Sequence, residues 1–164
     1  MQVNRMKTDD KTNVMRLLDS RKIPYTAHKY HPDPSLSGAD IAQLLGEDPA
    51  VVFKTLVTRG KPGCYYVFVI PVTSELNLKK AAAAAGEKSV SMVLQKDLLP
   101  LTGYIHGGCS PIGMKKSFPT FFHVTAEESE RIYFSAGKVG FQVGVNPRDL
   151  CSIISFRTAD LTAG

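Results

Sequence analysis

The segment "AVVFKTLVTRGKPGCYYVFVIPV" (Ala50–Val72) holds two apolar stretches separated by a turn. Its β-branched and aromatic side chains are typical of strands, and the intervening "RGKPG" has the glycine and proline residues that turns favour. The simplest arrangement that this pattern predicts is a β-hairpin.

Lys54 is out of place in the first of these strands. Side chains alternate across a strand, so Lys54 shares a face with the apolar Val52 and Leu56. A lysine near a strand end can keep its stem packed while its amine reaches water. A buried amine must instead lose its proton or meet an anion. The strand alone leaves both interpretations open.

The composition is that of one globular domain. The chain has 164 residues, of which 43% are hydrophobic and 21% charged, and no apolar run approaches the roughly 18 residues of a membrane span. The polar N-terminus lacks a secretory core, so we expect a cytoplasmic protein with no membrane contact. Three widely spaced cysteines favour free thiols in a reducing compartment. The net charge of +5 permits a polyanionic partner without establishing one.

The remaining pattern predicts a single α+β domain over residues 11–164, after a loose tail over residues 1–10. We expect about four helices, at Lys11–Lys22, after a capping box formed by Ser37 and Asp40, at Asn77–Ala85 and at 95–102. The mostly antiparallel strands are completed by Ile23–Tyr30, Val90–Val93, Thr120–Val124, Arg131–Phe134 and Phe141–Val145. Thr125 and Glu128 fit a further cap.

The glycine-rich segment "GYIHGGCSPIGMKK" (Gly103–Lys116) is the clearest candidate for a ligand loop. Glycines let backbone amides approach a ligand closely, and such amides bind phosphates or stabilise oxyanions. A simple turn between strands would use the same glycines. The adjacent Lys115 and Lys116 favour an anionic ligand.

Conventional catalytic motifs are absent from the sequence. There is no P-loop, no G-x-S-x-G and no H-E-x-x-H, and His28 and His31 have no matching cluster, so we expect neither a metal nor a cofactor. Cys109 would need an activating base to act as a nucleophile. His106 is predicted to lie on the opposite face of an extended segment, so a packed thiol is the preferred interpretation.

Five segments, in order and at natural spacings, together resemble the YbaK/EbsC family. They are "DPAVVFKTLV" (48–57), "LNLKKAAAAAGEKSVSM" (76–92), "LTGYIHGGCSPIGMKK" (101–116), "IYFSAGKVG" (132–140) and "NPRDL" (146–150). This family comprises free-standing aminoacyl-tRNA deacylases related to the editing domain of bacterial prolyl-tRNA synthetases. The resemblance covers roughly residues 11–150. It implies a curved, barrel-like mixed sheet, mostly antiparallel, flanked by helices.

The resemblance also implies a function, namely hydrolysis of the ester that joins a wrong amino acid to tRNA, in the best-described branch Cys-tRNA(Pro). The implied partners are tRNA and a prolyl-tRNA synthetase, not DNA. Lys54 matches the family's essential lysine and is expected to hold the terminal adenosine phosphate or the ester region, while Gly108 and neighbouring amides are expected to stabilise the oxyanion. The implied substrate-binding residues are Tyr30, Ser110, Pro111, Ser135 and Gly137, and the implied tRNA-binding residues are Lys115, Lys116 and Lys138.

Within the family the thiol of the cysteine substrate is thought to attack its own ester, which agrees with the missing nucleophile. Ala136 replaces a glycine of the family's S-G-G turn, a change expected to narrow the pocket or restrict the turn. Two alternatives stay open: a deacylase for Ala-tRNA(Pro) or another small aminoacyl-tRNA, and a non-catalytic tRNA-binding module.

Overall fold

The computed structural model describes residues 10–33 and 35–163. The elements in chain order are α1 (Asn13–Ser20), β1 (Tyr25–Lys29), α2 (Gly38–Leu44), β2 (Phe53–Arg59), β3 (Tyr65–Pro71), α3 (Leu78–Ala85), β4 (Ser91–Met92), α4 (Gln95–Thr102), β5 (Thr120–His123), β6 (Ile132–Ser135), β7 (Phe141–Val145) and β8 (Phe156–Ala159). Short 3-10 helices cover Pro49–Val51, Val124–Glu128 and Pro147–Ser152. The predicted tail lies outside the described residues except for Asp10, whose carboxylate is 3.2 Å from Lys29 Nζ.

The strands form two sheets. One has five strands in the order β4-β2-β3-β5-β8, and the other has three in the order β1-β7-β6. The predicted hairpin is confirmed, because β2 and β3 pair antiparallel with Lys54 opposite Ile70. Four of the six strand pairings are antiparallel and two are parallel, so the expected mixed, mostly antiparallel arrangement is also confirmed.

The expected barrel-like sheet is wrong, because the two sheets do not close into a barrel. Among the described residues they are joined by one parallel bridge, between Val52 and Tyr133. The free edge of β2 is divided between two neighbours. Its start lies beside β6, whereas Thr58 and Arg59 near its end pair with β4. The two sheets can therefore share only a corner.

Local capping signals place the helices well. Ser37 and Asp40 form the predicted capping box of α2, and Asn77 caps α3, which ends at Gly86 with a φ of +74°. The predicted cap at Thr125 is wrong, because the chain forms a 3-10 helix there whose N-cap position, His123, makes no side-chain cap hydrogen bond.

Strand β8 has no counterpart in the sequence prediction. It is short and polar, and it forms because it pairs in parallel with the buried β5. Its Phe156 ring contacts Phe122 with the ring centroids 4.6 Å apart. The sequence of a four-residue strand of this kind gives little indication that a strand will form, because its stability comes from pairing with the neighbouring strand.

The core lies on both sides of the five-stranded sheet. Phe53 and Val57 of β2 face the main core, which the three-stranded sheet completes with residues such as Phe134. On the opposite face, Ala81 of helix α3 packs on Phe68 and its neighbours. The alanine run is therefore a small-residue packing face, as predicted. No helix in the described ranges is long and apolar enough to cross a membrane.

Replacing Phe122 with alanine tests the packing of β8 on β5. Phe122 is fully buried, so Phe122→Ala should lower the free energy of unfolding by about 3–5 kcal/mol. The control is Leu99→Ala, because Leu99 is 52% exposed; it should change the free energy of unfolding by only about 0.5 kcal/mol. Urea denaturation measures both values, and equal small losses would contradict this account of the core.

Candidate functional site

The three-stranded sheet has one apolar and one polar face. The strand register places His28 opposite Gln142, and Gln142 opposite Ser135, so these three side chains lie in a row on one face. Tyr30 follows His28 by two residues and continues the same face. Val143 and Phe134 point the other way, into the core. We call the row with Tyr30 the polar face.

Lys54 extends the polar face across the corner between the two sheets. The parallel bridge pairs Val52 with Tyr133 of β6. Two residues further along each segment, the side chains of Lys54 and Ser135 therefore point to the same side of the sheets as this pair. Lys54 is half-buried, and within the described ranges no carboxylate lies at ion-pair distance from its amine. A half-buried cation without an acidic partner is suited to binding an anion.

The turn at residues 135–140 brings most of the predicted site residues together. The Gly137 amide donates to Ser135 Oγ at 3.1 Å, and the Tyr30 amide donates to the Gly140 carbonyl at 2.9 Å. Gly108 packs against the same turn so closely that a Cβ atom there would lie 3.2 Å from the Val139 nitrogen. Because glycine has no side chain, these positions let the two backbone segments approach each other closely.

The glycine-rich loop offers amides other than that of Gly108. The Gly108 amide donates to the Ile105 carbonyl at 2.9 Å in a turn. The amides of Cys109 and Ser110 donate to no acceptor in the described part of the chain. Ser110 is fully buried, and its hydroxyl also lacks a partner there. An oxyanion role for these amides stays a prediction, and those of Cys109 and Ser110 are the ones not already used in a hydrogen bond within the described ranges.

The other predicted residues lie apart from the polar face. Pro111 lines a groove of about 660 Å³ that also contains Lys116 and the side chains of Arg21 and Arg157. Lys115 and Lys138 are exposed, and the Lys138 amine lies 5.7 Å from the centre of the Phe141 ring. The basic residues are therefore spread over separate parts of the surface rather than forming one cluster.

Cys109 is a packed thiol. Burial raises the pKa of this thiol to about 12, so it stays protonated near neutral pH and cannot act as a thiolate. His106 lies in a turn rather than in the extended segment that the sequence suggested. The expected placement of His106 was wrong, although the interpretation of Cys109 as packed is confirmed.

Ala136 does not narrow the site. Its methyl group is fully buried in the main core, because it follows Ser135 and points to the opposite face of the strand. Its φ is also not in the left-handed region, where among the described non-glycine residues only Lys22 is found. The turn accepts an alanine at this position without strain.

Sequence reasoning missed three polar side chains beside Tyr30: His28, Gln142 and Glu47. The Glu47 side chain is only 6% exposed, and its Oε2 lies 3.9 Å from His28 Nε2. Burial raises the pKa of Glu47 to about 7. The alternation of β1 places His28 beside Tyr30, but no local pattern brings in Glu47, which lies in a loop. No group of three or more metal-ligating His, Cys, Asp or Glu side chains occurs in the described ranges.

Comparison with known proteins identifies the class. The aminoacyl-tRNA editing domain family matches residues 33–153. A protein of Enterococcus faecalis named "Putative Cys-tRNA(Pro)/Cys-tRNA(Cys) deacylase EbsC" is 44% identical over 95% of this chain and 96% of its own length. The chain therefore belongs to the aminoacyl-tRNA editing domain family.

More distant relatives share part of the sequence or the fold. A proline–tRNA ligase of Thermosipho melanesiensis is 32% identical over 46% of this chain, which corresponds to 13% of the ligase. A crystal structure described as "a putative trans-editing enzyme for prolyl tRNA synthetase" superposes with a TM-score of 0.79 at 22% identity, over 92% of this chain and 95% of that one. That likeness establishes the α+β fold.

The packing of the 135–140 turn predicts an effect of Gly137→Ala on stability. Gly137 has a φ of +92°, and an added Cβ would lie 2.9 Å from a Tyr104 ring carbon. The left-handed backbone alone costs an alanine about 1–2 kcal/mol, and the clash should add about 1–3 kcal/mol.

Gly63→Ala is the matched control, because Gly63 has a φ of +81° but open space around its Cα. Urea denaturation of both variants separates the two contributions. Equal losses of unfolding free energy would show that the turn is not tightly packed.

Proposed function

We propose that this protein is a free-standing editing hydrolase that removes wrongly attached amino acids from tRNA, with Cys-tRNA(Pro) as its preferred substrate. The observation that supports this most is Lys54, a half-buried amine with no acidic partner in the described ranges, on the same face as Tyr30 and Ser135. The family and the name of the relative from Enterococcus faecalis point to the same reaction.

Lys54 holds the negatively charged phosphate of the terminal adenosine in this proposal. The turn at 135–140 and the glycine-rich loop then flank the ester, where the Cys109 and Ser110 amides can donate to the oxyanion. Tyr30 is nearly fully buried, and burial raises the pKa of its hydroxyl. The Tyr30 side chain therefore forms an uncharged wall of the proposed substrate site.

The protein needs no nucleophile of its own. The sulfur of a cysteinyl group attacks its ester carbonyl, the bond from the carbonyl carbon to the ribose oxygen breaks, and the thiol proton passes to that oxygen. Water then opens the resulting thiolactone to free cysteine. Holding the two groups together supplies most of the rate, since well-oriented intramolecular reactions can gain about 7–11 kcal/mol.

The acceptor end of the tRNA is bound in this proposal by the exposed Lys115 and Lys116, at the end of the glycine-rich loop, and by Lys138 in the turn. Each contact to a phosphate adds to affinity and to its salt dependence. A prolyl-tRNA synthetase is the proposed partner that supplies the charged tRNA, because relatives of this chain occur within proline–tRNA ligases. The proposed location is the cytoplasm.

The role of Lys54 is tested with a panel of charged tRNAs. Wild-type protein should release cysteine from Cys-tRNA(Pro) but leave Ala-tRNA(Pro), which lacks a thiol, largely charged. Lys54→Ala should lower the rate of cysteine release by at least about 100-fold, comparable to losing one charged transition-state contact. Its unfolding curve should match wild type.

Lys61→Ala is the control for charge. Lys61 is an exposed lysine in the β2–β3 turn, at the opposite end of β2 and roughly 20 Å along the strand from Lys54. This variant should keep wild-type rates. A folded Lys54→Ala protein that still deacylates would refute the proposal, and binding of charged tRNA without release of any amino acid would favour the tRNA-binding module.

Cys109→Ala tests the absence of an enzyme nucleophile. Because burial holds the Cys109 thiol protonated, its removal should leave the rate of cysteine release within about threefold of wild type, which corresponds to less than 1 kcal/mol. The assay is single-turnover deacylation. Complete loss of activity in a folded variant would show instead that Cys109 attacks the ester.

A further inference from the structure

Glu47 presents a buried carboxylate to the polar face, where its neighbours Gln142 and His28 supply no positive charge. Both carboxylate oxygens and the side-chain oxygen of Gln142 are buried, and none meets the geometry of a hydrogen bond to another described residue. The Gln142 side chain lies close enough to lower the pKa of Glu47, an effect smaller than that of burial. A buried acceptor without a donor costs about 1–3 kcal/mol, so native proteins rarely keep such groups without a use. The Glu47 carboxylate and the Gln142 side chain adjoin each other in this part of the polar face.

The protein supplies no cation to this group. His28 Nε2, at 3.9 Å from Glu47 Oε2, is beyond hydrogen-bond distance, and it lies 3.2 Å from the hydroxyl of Thr26. Burial and the nearby Arg131 lower the pKa of His28, so the ring is neutral near pH 7. The Arg131 guanidinium is itself bound to Thr26 Oγ1 and to the Gly144 carbonyl.

A partner that carries a positive charge and several N–H donors would complement the ionised form of this carboxylate. A primary ammonium group has three donors and no acceptor, which complements two carboxylate oxygens and one amide oxygen. A hard divalent cation is less suitable, because it takes about six or more oxygen ligands and only one carboxylate is present. An ammonium also restores charge neutrality in a site where an ionised carboxylate is costly.

We propose that Glu47 and Gln142 bind the α-ammonium group of the aminoacyl ester. The inference rests on the proposed function, since an aminoacyl-tRNA carries this ammonium beside the ester that is cleaved. Gln142 is one strand from Ser135, and Lys54 is one strand further. At the usual spacing between strands the ammonium site is therefore about 10 Å from Lys54. One bound aminoacyl-adenosine can span the two groups.

The pH dependence of binding follows from the burial of Glu47. The carboxyl pKa of about 7 means that much of the free protein carries a protonated Glu47 near neutrality. Only the ionised form binds an ammonium, so binding should weaken as the pH falls below 7. His28, Tyr30 and Arg131 are the other titratable groups near this site, and Gln142 is uncharged.

The same pKa predicts that Glu47 lowers stability in alkaline solution. Its folded-state value lies above the ordinary value of 4.5, so the fold favours the protonated form and loses stability as the pH rises through 4.5 to 7. Glu47→Gln mimics the protonated group. This variant should fold, and at pH 8 it should melt at a higher temperature than wild type.

The direct test uses a ligand that cannot be hydrolysed. Calorimetry measures binding of 3′-cysteinylamino-3′-deoxyadenosine and of its N-acetyl derivative, which lacks the ammonium. Wild-type protein should bind the free amine at least about tenfold more tightly, and Glu47→Gln should reduce this preference to less than about threefold. Glu87→Gln is the control, because Glu87 already accepts a hydrogen bond from Tyr66 at 2.5 Å, and it should keep the wild-type preference.

The outcomes separate this inference from the proposed function. Deacylation of charged tRNA, together with an unchanged amine preference in Glu47→Gln, would overturn the ammonium site alone. A Glu47-dependent amine preference in a protein that deacylates no tRNA would support the site and reject the hydrolase. Failure of wild-type protein to bind the free amine more tightly than its N-acetyl derivative would also overturn the inference.

Discussion

The bridge between Val52 and Tyr133 is the contact on which the candidate site depends. The strands on either side of it belong to two different sheets, and the bridge places the start of β2 beside β6. Lys54 and Ser135 then follow on one side of the corner because both strands alternate. A lysine that interrupts an apolar face becomes, through this contact, one end of a polar row that crosses four strands.

The site is built by close packing of backbone more than by reactive side chains. The turn at 135–140 holds Tyr30 through the Gly140 carbonyl. It packs on the glycine-rich loop so closely that a Cβ atom at Gly108 would lie only 3.2 Å from the Val139 nitrogen. The nearby thiol of Cys109 is held protonated by burial. Such a site can position and polarise a substrate, which suits a reaction whose nucleophile comes with the substrate.

Several buried polar groups of this protein have no hydrogen-bond partner in the described ranges, which lowers the stability of the fold. Ser110, Gln142 and Glu47 each bury an oxygen atom without a donor in the described ranges, and all three belong to segments around the polar face. In a well-packed domain such atoms are usually paired. The other unpaired buried oxygens in the described ranges belong to Thr55 and Thr125, outside the polar face. Those around the polar face lie near Lys54, a half-buried amine that, unlike the half-buried Lys29 and Lys80, has no acidic partner in the same ranges.

The sequence by itself determined the hairpin, the capped helices α2 and α3, and the presence of a charged residue, Lys54, on an apolar strand face. Through its motifs it also indicated the family. These features depend on residues close together in the chain, where alternation, capping and turn preferences act. Only the tertiary structure decided that two sheets meet at a corner, that β8 forms, that Ala136 faces the core and that Glu47 reaches the polar face. Each of those depends on contacts between segments distant in sequence, whose energies come from packing and burial that no local pattern records.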